Sequence, residues 1–175
     1  TLNTTNDAIP SLSLRGPKGA EAISHYLVAV LAVGLLVIYT VAVVRSALRF
    51  DPTNAEYHYK LGILYGKSKA YNLQLPEYQA AVRLNPTNSQ YHQSLAWACG
   101  QLYNYFKHKN MPIADKYKQN TEQEFQTAIS LEPNNAYRHR AFAIWLLDCQ
   151  EQESIARGVK EYKTAIALKP VFAKE

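Results

Sequence analysis

A proline recurs in one local setting along this chain, each time at the end of an apolar-rich run. It stands at Pro52, Pro86, Pro133 and Pro170, so the successive spacings are 34, 47 and 37 residues. Proline lacks a backbone N–H and disfavours the helical conformation for the residue before it, so each proline marks the end of a helix. This recurrence of proline at helix ends predicts a repeat protein, in which each unit buries its apolar face by stacking on its neighbours.

Each stretch between these prolines reads as a helix, a turn and a second helix. Apolar residues recur at helical spacing in both segments, and the units cover residues 55–86, 89–133 and 136–170. The second spacing, 47 residues, exceeds the first, 34 residues, by 13, and the additional residues lie within an insertion at 103–121. Insertions in repeat arrays usually emerge on one face and are often used for binding.

Small and aromatic residues recur at matching places in the three units. They are Leu61-Gly62, Tyr65, Tyr78 and Ala81 in the first unit, Leu95-Ala96, Phe125 and Ala128 in the second, and Phe142-Ala143, Gly158, Tyr162 and Ala165 in the third. With the terminal prolines, these positions resemble the tetratricopeptide repeat family over residues 47–170. The resemblance implies an all-α solenoid of about three helical hairpins within residues 51–175, with a binding groove along the first helix of each unit.

Histidine stands where that family usually has a tryptophan early in the first helix. The three positions are His58, His92 and His139. Equivalent positions in stacked hairpins lie roughly 10 Å apart, which is too far for ligands of one metal ion. We therefore expect packed or hydrogen-bonded rings, and no metal site.

An uncharged apolar run of 19 residues extends from Tyr26 to Val44. A helix of that length rises about 30 Å, the thickness of the hydrocarbon layer of a bilayer. We predict a single transmembrane helix over residues 22–50, which continues into the first solenoid helix and couples the two parts rigidly. A buried core helix and a secretory signal peptide are the alternatives, although Arg45 and Arg49 follow the run as in a stop-transfer sequence.

Several other features of the sequence limit the classes of function that this protein can have. Residues 1–21 form a polar, Gly- and Pro-containing segment, which we expect to be an extended tail held by a larger assembly. Cys99 and Cys149 form no CxxC pair and are expected to be buried thiols.

No phosphate-binding loop, nucleophile elbow or metalloprotease motif occurs, so we expect no active site, cofactor or small-molecule substrate. The net charge of +5 suits anionic lipid better than nucleic acid, since no RNA-binding motif accompanies it.

Three sets of residues are candidates for contact with partners. The register of the first helices places nine residues in the predicted groove: Tyr59, Lys60, Ile63, Lys67, Gln93, Trp97, Gln101, Arg140 and Ile144. The insertion offers Tyr105, Phe106, Lys107, Lys109, Lys116 and Lys118 to an acidic partner or to lipid headgroups, or else is a solvated loop that extends both helices. The last helix carries Ile155, Val159, Tyr162 and Ile166, which we expect another subunit to cover because the chain stops where a further repeat would begin.

The groove composition favours one kind of ligand. The carboxylate clamp of chaperone-binding family members looks absent, because Tyr59 and Ile63 occupy the matching places. An apolar or amphipathic segment suits these residues and Trp97 better, although Trp97 serves equally well as core between repeats.

These features favour a non-catalytic, single-pass membrane protein that acts as a scaffold or accessory subunit, or as a homo-oligomer, in a membrane-bound assembly. One alternative is a C-terminal fragment of a multi-span enzyme, because a last membrane span running into such repeats also resembles bacterial O-antigen polymerases and ligases. Another alternative is a membrane-anchored receptor for targeting peptides, which resembles the import receptors of mitochondria. The nearly balanced flanking charges, Arg15 and Lys18 against Arg45 and Arg49, leave the side of the membrane that holds the repeats open.

Overall fold

The structure is a computed structural model that describes residues 17–174, with the side chains of residues 23–172. Over this range the protein is all-helical, as the sequence predicts. The helices are α1 (Pro17–Phe50), α2 (Ala55–Lys67), α3 (Tyr71–Leu84), α4 (Ser89–His108), α5 (Ile113–Leu131), α6 (Ala136–Asp148), α7 (Gln152–Leu168) and a short 3₁₀ helix (Pro170–Lys174). Hairpin 1 is α2–α3, hairpin 2 is α4–α5 and hairpin 3 is α6–α7.

The chain consists of two compact units, divided between Thr40 and Val41. Helix α1 begins at Pro17, five residues before the boundary drawn from the sequence, because proline fits the first turn of a helix, where its missing N–H has no role. The rest of the expected tail, residues 1–16, lies outside the described residues.

One segment of the described chain, Ile23–Phe50, is long and apolar enough to span a membrane. None of its most apolar stretch is buried within the protein, which distinguishes it from a core helix. Near its end, in the second unit, the Arg45 guanidinium lies 5.6 Å from the centre of the Tyr65 ring, a cation–π contact with hairpin 1. Phe50, the last residue of α1, is 91% exposed.

All three hairpins start in the same way. Asn54, Asn88 and Asn135 precede the first helices and accept hydrogen bonds from backbone N–H groups of the first turn. These caps satisfy donors that a helix cannot pair internally. The proline–Asn spacing in the sequence therefore sets where each first helix begins.

The three histidines tie each hairpin to its own proline. Nδ1 of His92 lies 2.6 Å from Glu124 Oε2, and Nε2 lies 2.8 Å from the Pro86 carbonyl oxygen. The same bridge occurs in hairpins 1 and 3, where His58 contacts Glu77 and Pro52, and His139 contacts Glu161 and Pro133. A carboxylate and a carbonyl only accept hydrogen bonds, so both contacts are satisfied when both ring nitrogens donate. The expectation of hydrogen-bonded rings is confirmed.

The first helix of each hairpin also ends in the same way. Lys69, Asn110 and Gln150 follow the three helix ends with φ of 57°, 52° and 59°. In hairpin 1, Lys69 N donates to Gly66 O and Ala70 N donates to Tyr65 O, which satisfies the last carbonyls of α2. Glycine usually takes this left-handed position, and here a lysine, an asparagine and a glutamine do so.

The core lies between the helices of each hairpin and between neighbouring hairpins. Small residues permit the close approach: Ala96 and Ala143 are fully buried, and a Cβ on Gly62 would lie 2.5 Å from the Tyr78 ring. Phe125, Trp145 and Leu146 fill the largest cluster, between hairpins 2 and 3. Burial raises the pKa of Cys99 to about 12 and that of Cys149 to about 11, and both thiols are free and buried as expected.

The insertion is helical except at its tip. Helix α4 continues to His108 and α5 begins at Ile113, so only residues 109–112 connect them. The 13 additional residues therefore lengthen both helices of hairpin 2.

Candidate interaction face

Hairpins 1 and 2 meet along their first helices through aromatic rings. The centres of the Tyr59 and Tyr91 rings are 4.8 Å apart. The Tyr91 hydroxyl donates to Glu56 Oε2 at 2.9 Å, and Gln90 Nε2 donates to the Tyr59 hydroxyl at 2.9 Å. Burial, followed by the bond to Glu56, raises the pKa of Tyr91 to about 12, so its hydroxyl stays protonated and donates to Glu56 at physiological pH.

A buried arginine joins hairpin 3 to hairpin 2. The Arg138 side chain donates to Gln93 Oε1 at 2.7 Å, to Ser89 Oγ at 3.2 Å and to Gln90 Oε1 at 3.4 Å. Its Nε also lies 3.3 Å from Glu132 Oε2. Hydrogen bonds from Ser89 and Asn135, with the charge of Arg138, hold the pKa of Glu132 below its usual range.

Gln90 therefore contacts both neighbouring hairpins. Its amide N–H donates to Tyr59 of hairpin 1, while its amide oxygen accepts from Arg138 of hairpin 3. These side chains form a continuous polar ladder across α2, α4 and α6, which we call the first-helix ladder. It aligns the three helices that carry the predicted groove.

Four residues of the predicted groove are exposed. They are Lys60, Lys67, Gln101 and Ile144, with Ile144 40% exposed. Lys60 pairs with Glu56 one turn earlier, at 3.5 Å. Exposed cationic, amide and aliphatic groups therefore occur on the same three helices.

The other five groove residues, Tyr59, Ile63, Gln93, Trp97 and Arg140, are half-buried. Trp97 presents its ring to Phe125 in an edge-to-face contact, with 5.6 Å between ring centres, and packs against the core of hairpins 2 and 3. Arg140 lies over the Phe172 ring at 4.9 Å. Trp97 is thus largely a packing residue with one exposed edge, so its use for binding stays a prediction.

Two lysines of the insertion are used within the protein. Lys107 Nζ donates to the Cys149 carbonyl at 3.0 Å and lies 3.9 Å from Glu151. Lys118 forms a close ion pair with the same Glu151 carboxylate, which also accepts from the Tyr103 hydroxyl at 3.2 Å. Hairpin 2 therefore holds the α6–α7 turn, a role that the sequence did not indicate.

The remaining insertion residues lie nearer the tip or on α5. Phe106 stacks on Tyr117 at 5.4 Å between ring centres and joins the core. Lys109 Nζ lies over the Tyr105 ring and donates to its hydroxyl at 2.6 Å. Tyr105, Lys109 and Lys116 are exposed.

The expected subunit-covered face of α7 is only partly open. Ile155 and Val159 are each 42% exposed, whereas Tyr162 and Ile166 are half-buried. Ile166 packs beside Phe172 of the 3₁₀ helix, which is itself buried. What covers Ile155 and Val159 stays a prediction.

Sequence reasoning missed Arg138, Gln90 and Glu151. Arg138 occupies the third position after its N-cap Asn, where the other two hairpins have Tyr57 and Tyr91. A charged residue at a register position that is otherwise aromatic was the available signal. The described residues contain no group of three or more His, Cys, Asp or Glu side chains that could hold a metal ion.

Known proteins resemble this chain in fold. No protein-family model and no curated protein matches it. Among solved structures, "MamA MSR-1 C2" is 20% identical with a TM-score of 0.59, and the alignment covers 78% of this chain and 69% of the MamA chain. "MamA 41-end from Desulfovibrio magneticus RS-1" is 18% identical with a TM-score of 0.60, and the alignment covers 81% of this chain and 71% of the MamA chain. "Crystal structure of MamA protein" is 16% identical with a TM-score of 0.61, and the alignment covers 79% of this chain and 67% of the MamA chain.

The chain has a tetratricopeptide-like helical-repeat fold. These MamA structures are themselves helical-repeat proteins of that type, which agrees with the fold expected from the sequence resemblance. At this level of identity the likeness concerns the arrangement of helices and not the residues of a site.

Proposed function

We propose that this chain is a non-catalytic, membrane-anchored scaffold whose predicted groove holds a protein partner in a membrane-bound assembly. The first-helix ladder is the observation that carries the proposal. It spans all three hairpins through Tyr59, Gln90 and Arg138, and so aligns three helices as one continuous surface. A preorganised surface binds with little cost in conformational entropy, which is how repeat proteins serve as scaffolds.

The exposed chemistry of the groove suits an amphipathic segment. Ile144 offers an exposed aliphatic group, and Ile63 and Trp97 add half-buried apolar edges. Lys60 and Lys67 add positive charge on α2. A partner helix or strand with an apolar stripe and flanking carboxylates would match this pattern.

Membrane anchoring is supported by the length and exposure of the apolar part of α1. The candidate span Ile23–Phe50 has 28 residues, longer than the apolar region of a signal peptide. Arg45 and Arg49 near its end suit the interface between hydrocarbon and headgroups.

A site-specific crosslink tests the groove. A photoreactive amino acid replaces Gln101 in the full chain, which is then irradiated in its native membrane and purified through a tag after Glu175. We expect a discrete crosslinked protein whose yield falls when Ile144→Asp is added. Gln126, exposed on the second helix of the same hairpin, is the matched control position.

Equal crosslinking from Gln101 and Gln126, or none from either, would overturn the groove proposal. Alkaline extraction of the same membranes tests the anchor separately. The chain should stay in the membrane pellet at its full length. Release of the full-length chain would overturn the anchor, and a mature chain lacking α1 would show a cleaved signal sequence.

A further inference from the structure

The tip of hairpin 2, residues 105–113, combines exposed apolar side chains with positive charge. Tyr105, Met111 and Ile113 are 52%, 43% and 41% exposed. Lys107, His108 and Lys109 lie between them in the chain, all exposed. From residue 102 to residue 114 the sequence contains no Asp or Glu. Exposed apolar residues interspersed with lysines are a pattern of surfaces that meet anionic membranes.

The tip is held rigidly. Asn110 N donates to Lys107 O and Met111 N donates to Phe106 O, each at 3.0 Å, so the helix end is closed by backbone hydrogen bonds. Below the tip, Asn104 donates to Asp148 and Lys107 donates to the Cys149 carbonyl, which fastens α4 to hairpin 3. The exposed side chains therefore stand on a fixed platform.

The tip also projects from its hairpin. Helix α4 has 20 residues and α2 has 13, and seven additional residues extend a helix by about 10 Å. The corresponding turn of hairpin 3 differs in chemistry, since Asp148, Gln150 and Glu151 lie there. The turn of hairpin 1 also carries exposed lysines and apolar residues, Lys67, Lys69, Tyr71 and Leu73, but the hairpin 2 turn is the longest of the three and stands on the longest first helix.

We propose that the hairpin 2 tip docks on a lipid bilayer that contains anionic headgroups, with Met111 and Ile113 at the boundary of the acyl chains and Lys109 at the phosphates. This inference rests on the proposed membrane anchor, because a span in the same chain keeps the tip at high effective concentration near the bilayer. A few apolar groups and cations then suffice, although alone they would bind weakly.

The chain permits a clean probe of this contact. Cys99 and Cys149 are 3% and 2% exposed, and burial raises the pKa of both thiols, so a cysteine introduced at the surface is the one that labels at neutral pH. An environment-sensitive fluorophore goes on Met111→Cys in the full chain. Gln126→Cys is the exposed control, and Leu35→Cys reports the span.

Each labelled protein is reconstituted in phosphatidylcholine vesicles with and without phosphatidylserine, and with a quencher attached to the lipid chains. In the anionic vesicles we expect Met111→Cys emission to shift to the blue and to be quenched more than Gln126→Cys. High salt, or Lys109→Glu, should remove the difference, since both weaken attraction to anionic lipid.

The outcomes separate the two proposals. Quenching at Leu35 without a difference between Met111 and Gln126 overturns tip docking and leaves the anchor standing. Quenching at Met111 that is equal in neutral vesicles overturns the role of anionic headgroups. Absence of quenching at Leu35 overturns the anchor, and tip docking falls with it.

Discussion

The joint between hairpins 1 and 2 differs in chemistry from the joint between hairpins 2 and 3. The first relies on the contact between the tilted Tyr59 and Tyr91 rings, with hydrogen bonds from Tyr91 to Glu56 and from Gln90 to Tyr59. The second is charged at both ends, with Arg138 near the start of α6 and the Glu151 carboxylate at the α6–α7 turn. Both joints occur in one array of otherwise similar hairpins.

The difference follows from the length of hairpin 2. Its added residues bring Lys107 and Lys118 to the turn of hairpin 3, where they meet Glu151 and the Cys149 carbonyl. Hairpin 1 is too short to make the equivalent contact with hairpin 2. An insertion in a repeat can thus serve the array itself, while only its tip remains for other partners.

Arg138→Ala should break the charged joint, and we expect this substitution to lower the free energy of unfolding the most. Arg138 is 8% exposed and donates to three acceptors, so its loss leaves the Ser89 hydroxyl and two Gln side chains without this donor and removes the charge partner of Glu132. We expect the free energy of unfolding to fall by about 3 kcal/mol. Urea unfolding of the full chain in mild detergent measures it through Trp97 and Trp145, the chain's two tryptophans, which lie in hairpins 2 and 3.

Arg83→Ala is the matched control, because Arg83 is exposed near the end of α3. It should change the free energy of unfolding by less than about 0.5 kcal/mol. If Arg138→Ala costs no more than this control, the charged joint does not hold hairpins 2 and 3 together.

Glu151→Gln should weaken the other end of the same joint. The side chain is 42% exposed, so we expect a loss of only about 1 kcal/mol at pH 7. The hydrogen bond from Lys118, followed by the positive charges of Lys118 and Lys107, lowers the pKa of Glu151 from 4.5. Because the folded pKa is the lower one, this stabilisation is complete above about pH 4.5 and disappears as the pH falls through the folded value.

The wild type should therefore lose more stability than Glu151→Gln between pH 7 and about pH 3. Urea titrations at both pH values measure the difference. Glu153→Gln, an exposed carboxylate two residues away, should behave like the wild type. Parallel acid profiles for wild type and Glu151→Gln would show that the ion pair contributes nothing.

Lys69→Gly should stabilise hairpin 1 slightly. Lys69 adopts a left-handed conformation with φ of 57°, which costs a residue with a Cβ about 1 kcal/mol relative to glycine. Asn110→Gly in hairpin 2 should gain only a few tenths of a kcal/mol, because asparagine visits this region more readily. Circular dichroism during urea unfolding measures both changes.

Lys60→Gly, at an exposed position in the middle of α2, is the control with the opposite sign. It should destabilise by about 0.5–1 kcal/mol, since glycine weakens a helix interior. A loss of stability in Lys69→Gly would mean that the lysine side chain, and not the backbone, matters at this turn.

Much of the fold was predictable because it depends on local chemistry. Asn54, Asn88 and Asn135 follow the prolines at a fixed distance and cap the helices that start there. The three histidines recur in one register, so one hydrogen-bonding scheme repeats three times. The exposure of the predicted groove residues could not be predicted from the sequence, because it depends on neighbouring helices. Trp97 illustrates this point, since Phe125 lies 28 residues away in the chain.

The sequence alone determined the helix type, the three hairpins, the apolar span and the buried thiols, because periodicity, capping and proline act within a few residues. The tertiary structure decided which polar residues join the hairpins. Arg138 meets Gln93 across 45 residues, and Lys118 meets Glu151 across 33. Such pairs depend on the length and stacking of whole helices, so a lysine that reads as solvent-exposed in sequence becomes part of a joint once hairpin 2 extends past its neighbour.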